Sequence, residues 1–121
     1  MLLLMNRPGE LEPITTWAAE DVQAHMAHMH AVRQEFIDAG VFVDGQVLAF
    51  PEQAAVVRVD ESGAPVVTDG PFAEAKEFLA GFMVVEADSR EHACRLAARI
   101  SAAPGPGGAL ARLPIEVREV L

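Results

Sequence analysis

Three histidines, His25, His28 and His30, fall within six positions, and Arg33 follows three residues later. Imidazole exchanges a proton near neutrality, so a cluster of this kind suits general acid–base chemistry or metal ligation. Spacing separates those uses. His25 shares a helical stripe with Val22, Met29, Val32 and Phe36, whereas His28 and His30 lie on opposite flanks, roughly 160° apart. The three therefore do not meet at one metal ion. His25 and His28, at i and i+3, could, but two ligands are too few for a structural zinc site. His25 is placed to act as an acid or base facing the sheet, with the competing reading that all three are surface or interfacial histidines without special chemistry. Arg33 falls on the inward side of the same helix. Its planar donor fork could anchor an anion or carboxylate, or its stem could pack inward while the guanidinium reaches water.

Asp69 stands before Gly70-Pro71. Asp-Gly-Pro is strong turn chemistry, and the carboxylate could cap the following turn by accepting backbone N–H bonds. The alternative is a catalytic carboxylate that orients a histidine. Beyond it, Glu74 and Lys76 sit between Phe72 and Phe78. Solvated charges are the default for them, and a ligand-facing group formed with Phe72 is the functional alternative. Cys94 is expected to be buried and inert in a helix. The run Pro104-Gly105-Pro106-Gly107-Gly108 lacks the Lys-Ser/Thr ending of a phosphate loop and reads as a flexible connector. No dinucleotide glycine pattern or heme-attachment cysteine is present, so no cofactor is expected.

These residues need a scaffold. Residues 1–6 read as a strand stopped by Pro8-Gly9. A helix is expected over about 17–39, capped by Thr15 or Thr16, with Glu20 and Asp21 suiting its positive end. Gly40 is its stop, since glycine accepts left-handed backbone freely. Residues 41–59 read as extended, with Val47–Phe50 and Ala54–Val59 as strands. Asp60–Gly63 is a turn, and Val66-Val67 starts the return strand of a hairpin. A helical turn over 73–77 is followed by a buried strand at Phe82–Val85. A second helix runs from a cap at Asp88 or Ser89 to Ile100, with Ala93, Leu96, Ala97 and Ile100 as its stripe. Ile115–Val120 closes the chain.

The order β-α-β-β-β-β-α-β, without its inserted hairpin, is a ferredoxin-like split βαβ arrangement within a single α+β domain over 1–121. Two helices cover one face of such a sheet. The strands are apolar on both alternations, which argues that a second copy of the sheet covers the other face in a homodimer.

The chain has 121 residues, 51% of them apolar and 22% charged, the mixture of one ordinary globular domain. Its net charge of −9 repels polyanions, and the nine Lys and Arg never form a run, so nucleic acid is disfavoured. The single cysteine excludes an internal disulfide and fits a reducing cytoplasm. Met1–Met5 is apolar but far too short to span a bilayer and lacks the features of a signal peptide, so no membrane association is expected.

The stretch Asp69-Gly70-Pro71-Phe72-Ala73-Glu74-Ala75-Lys76-Glu77 resembles the signature of DGPF-type YCII-related proteins. Thr68 before it, Gly81-Phe82 and Glu86 after it, Glu91 and Ala93, Ile115–Arg118, and Ala39-Gly40-Val41 upstream extend the resemblance over nearly the whole chain. It implies the dimeric α/β-barrel type of ferredoxin-like fold and an enzyme site built from a histidine with an aspartate nearby. It also implies a tie, for some members, to extracytoplasmic-function sigma factors. This sequence departs from the pattern: counted back from Gly40, the family's first-helix histidine falls nearest Met29, flanked here by His28 and His30. Two readings follow. One is an isomerase- or lyase-style enzyme on a small molecule, with His25, His28 and Asp69 as acid–base residues and Arg33, Phe72, Glu74 and Lys76 lining the ligand. The other is a non-catalytic ligand-binding or regulatory dimer with a protein partner.

Overall fold

A computed structural model describes the backbone of residues 2–6 and residues 14–69 and 78–121, with side chains from 14–69 and 79–121. Helix α1 (Ala19–Asp38) follows a single 3-10 turn at Ile14–Thr16. The expected caps Thr15 and Thr16 belong to that turn. Ala18 stands at the N-cap instead and offers no side-chain bond, so α1 begins two residues later than its sequence suggests. Its other end is as the sequence implies. Gly40 has φ +74°, its N–H donates to the Ile37 carbonyl, and the Val41 N–H donates to Phe36. This pair of bonds closes the last turn in a Schellman motif.

Strand β2 is Phe42–Val47, not Val47–Phe50. Pairing with strand β5 (Phe78–Val85) decides this, not local hydrophobicity. Asp44-Gly45 looks like a turn in sequence but lies within the ladder. Gly45 is buried there, and a Cβ on it would stand 3.0 Å from the Phe82 carbonyl oxygen. Pro51 opens a 3-10 turn, so Leu48–Phe50 stay outside the strand.

Strands β3 (Ala55–Val59) and β4 (Pro65–Asp69) form the expected hairpin. The Asp60 carboxylate builds its turn, accepting from the Ser62 N–H at 2.8 Å, the Ser62 hydroxyl at 2.6 Å and the Ala64 N–H at 3.0 Å. The helical turn expected at 73–77 lies outside the described residues. Helix α2 (Arg90–Ser101) is capped by Ser89, whose hydroxyl oxygen accepts the His92 N–H at 3.0 Å. Strand β6 (Ile115–Val117) is shorter than expected, since its partner β1 (Leu2–Asn6) begins opposite Val117.

The main sheet is antiparallel in the order β2-β5-β1-β6, and β3-β4 form a separate two-stranded sheet. This mixed α+β arrangement is consistent with the ferredoxin-like order once the hairpin is set aside. The sheet of the single chain is open and closes no barrel among the described residues. Val32 and Phe36 of α1, Ala97 and Ile100 of α2, and Met83 and Val85 of β5 form one buried core. Cys94 is exposed, contrary to expectation. The buried stripe of α2 is Ala93, Ala97 and Ile100, and Cys94 is turned about 100° away from Ala93.

Candidate functional site

Helix α1 carries two seams. The apolar one, with Val32 and Phe36, faces the sheet. The second contains Asp21, His25, His28 and Glu35, separated by steps of four, three and seven, and it faces the end of α2 and the loop behind it. His25 is only 9% exposed. Its Nδ1–H donates to the Pro104 carbonyl at 2.9 Å, and its ring meets Trp17 edge-on at 5.3 Å between centroids. His28 donates from Nε2 to the Arg99 carbonyl at 2.8 Å. That carbonyl belongs to the last turn of α2, where backbone acceptors lack helical partners. Asp21 accepts the Gly107 N–H at 3.2 Å.

Glu35 completes the seam. Arg99 donates to it from Nη2 at 2.8 Å and from Nε at 3.2 Å, a two-pronged pair between the helices. The hydrogen bond from Arg99 holds the Glu35 carboxyl below its usual range, and burial opposes this only in part. The same contact raises Arg99. Both side chains are about half exposed, so the pair orients the helices more than it stabilises them.

The Pro-Gly run behind α2 is a built turn, not a loose connector. Pro104 bridges to Leu110, Ala103 and Gly105 are buried, and the Gly105 N–H donates to the Ala109 carbonyl at 2.6 Å. His25 and Asp21 fasten it to α1. Sequence reasoning missed this use of the histidines. The available signal was the four-, three- and seven-residue spacing of Asp21, His25, His28 and Glu35, which marks one helix face beside the apolar stripe.

The other candidate residues lie elsewhere. Arg33 is exposed with its guanidinium 4.7 Å from the centre of the Phe42 ring, a cation–π contact onto β2. Asp69 ends β4 opposite Ala55 and is exposed, in a different sheet from the one α1 packs on. Phe72, Glu74 and Lys76 lie outside the described residues. Among the described residues the structure therefore brings His25 and His28 to one helix–loop seam and places Arg33 and Asp69 apart from it. No group of three or more His, Cys, Asp or Glu among them could hold a metal ion. His92 accepts the Asp88 N–H on Nδ1 at 3.1 Å, beside an open cleft of about 1310 Å3. Val41, Val43, Glu86, Ser89, Arg118 and Val120 contribute to its walls. No described helix is long and apolar enough to cross a membrane.

The sequence profile of the YCII-related domain matches residues 1–117. The chain is also 34% identical over 92 residues to the uncharacterized protein R00369 of Rhizobium meliloti (strain 1021), a match covering 74% of this chain and 73% of that protein.

Proposed function

The chain belongs to the YCII-related family, and from that premise we propose that it is a non-catalytic, dimeric binding module in which the α1 histidines are structural. One observation carries this reading. The two histidines best placed for acid–base work each donate a ring N–H to a backbone carbonyl of α2 or its loop, at 2.9 and 2.8 Å. Each bond spends one ring nitrogen on the backbone and fixes the ring's orientation and tautomer, a structural use that needs no substrate. Asp69, the carboxylate that would orient a catalytic histidine, ends a separate hairpin. The dimer is supported by apolar surface that the single chain leaves open, including Val43, Val47 and Phe50 around β2.

A turnover screen with small aromatic acids and lactones tests the reading, run on the wild-type protein, His28→Gln and Asp69→Asn. We expect no turnover by any of them and a dimer by light scattering. Turnover by the wild type that either substitution abolishes, with the fold intact by circular dichroism, would establish the isomerase- or lyase-style reading instead. Co-purification with an extracytoplasmic-function sigma factor would identify the module's partner as a regulatory protein.

A further inference from the structure

The cleft beside His92 is separate from the histidine seam of α1. It opens where the end of α1 (Ala39, Gly40), the start of α2 (Ser89, Arg90) and the ends of β5 and β6 meet. Val41, Val85, Ala93 and Val117 line its floor. Val85 belongs to the core under the helices, and Val41 and Val117 pack against that core, so this floor lies on the helix side of the sheet. At about 1310 Å3 it exceeds the roughly 300–1,000 Å3 of ordinary ligand pockets.

One donor stands ready in this wall. The Asp88 backbone N–H points at His92 Nδ1 at 3.1 Å. A backbone N–H can only donate, so Nδ1 accepts and the ring proton stands on Nε2. The Asp88 carboxylate is 3.8 Å from the same Nδ1 but fully exposed, and water screens it. The imidazole is held by the backbone at one end and is only 23% exposed. Among the described residues nothing accepts from its Nε2–H, and no partnerless side-chain nitrogen or oxygen is buried. The Nε2–H is therefore reachable from solvent, in a fixed orientation, with an acceptor still to be supplied.

Charge decides what kind of acceptor fits. Glu86, Asp88 and Glu119 set three carboxylates around the cleft against the two guanidiniums of Arg90 and Arg118. Arg118 already donates to Glu116 at 3.5 Å. The surplus is negative, as is the chain at −9, so an anion meets repulsion. A cation finds no acceptor on His92, because Nε2 donates. An uncharged carbonyl suits both the donor and the field, and an apolar body suits the valine and alanine floor.

We propose that this cleft binds a small, uncharged, mainly apolar molecule through a carbonyl oxygen that accepts from His92 Nε2. Such a ligand is what the binding-module reading above requires, and the assignment rests on that reading.

Proton–nitrogen spectra of the full chain, titrated with acetophenone, ethylbenzene and benzoate, test the site. The first two differ only in the carbonyl, and the third replaces it by a charge. We expect acetophenone to shift the His92 Nε2 signal and the Val41 and Val117 amides along one saturable curve. Ethylbenzene should shift those amides without moving Nε2 and bind about five-fold more weakly, the loss of one neutral hydrogen bond. Benzoate should bind more weakly than acetophenone. His92→Phe should weaken acetophenone about five-fold and leave ethylbenzene unchanged. If that variant disturbs α2 by circular dichroism, the contrast between the two neutral probes on the wild type decides alone. Equal binding of the two, or no saturable shift around the cleft, overturns the site and leaves the non-catalytic reading standing. Benzoate binding tighter than acetophenone overturns the uncharged class. Conversion of acetophenone in the sample, with the Nε2 shift present, supports the site and refutes the non-catalytic reading.

Discussion

Replacing His25 separates a structural histidine from a catalytic one. The side chain is 9% exposed, bonded to the Pro104 carbonyl and set edge-on to Trp17. His25→Ala leaves a carbonyl without its donor, which costs about 1–3 kcal/mol. It also removes the ring contact, about 0.5–1.5 kcal/mol. The expected loss is about 3 kcal/mol, which for a chain of this size lowers Tm by about 12 °C. His25→Gln keeps an N–H donor and loses only the ring, so it should cost about 1 kcal/mol. Urea unfolding followed by circular dichroism measures both. The loss should come from the midpoint at constant slope, since the surface exposed on unfolding is nearly unchanged. A loss below about 1 kcal/mol in His25→Ala would mean that the bond to Pro104 does not secure the loop, and the structural account of the histidines would fail.

His28→Ala removes a more exposed bond and should lower stability by about 1 kcal/mol in the same assay. Glu35 has its carboxyl held below the usual 4.5 by Arg99. A depressed carboxyl stabilises the fold above its unfolded value, and that contribution is lost as pH falls through the lower folded value. The Tm difference between wild type and Glu35→Gln should therefore be present near neutrality and vanish in acid below pH 4.5. A difference that persists there would point to packing instead of charge. Gly45→Ala would press a Cβ to 3.0 Å from the Phe82 carbonyl and 3.4 Å from the Met83 side chain. The backbone oxygen cannot swing aside, so we expect a loss of about 1–3 kcal/mol in thermal melts, without any change in helix content.

Elements whose signals are local were legible in the sequence. Gly40 stops α1 because only the left-handed conformation closes that turn, and Ser89 caps α2 because its hydroxyl reaches His92 N–H. Asp60 and Gly63 fix the hairpin turn. The order of elements followed from these markers and from the apolar runs. What escaped was decided by partners distant in sequence. Strand β2 lies at Phe42–Val47, through Asp44-Gly45, because β5 pairs with it there. The Pro-Gly run looked loose because nothing nearby shows that His25, 79 positions earlier, holds it. His25 and His28 were recognisable as a pair on α1, but imidazoles that face a substrate and imidazoles that face a carbonyl have the same spacing. The sequence left Arg33 open between an anion anchor and a packed stem with an outward head, and nothing local announced that its guanidinium lies over the Phe42 ring.

The protonation pattern of the imidazole rings tests the central claim most directly. Long-range proton–nitrogen spectra at neutral pH distinguish the two ring nitrogens. We predict His25 protonated on Nδ1 and His28 on Nε2, as their carbonyl partners require, with neither signal moving when aromatic acids or lactones are added. Ligand-dependent shifts at His25 or His28 that disappear in Asp69→Asn would contradict the account and place the chemistry of this protein at those histidines.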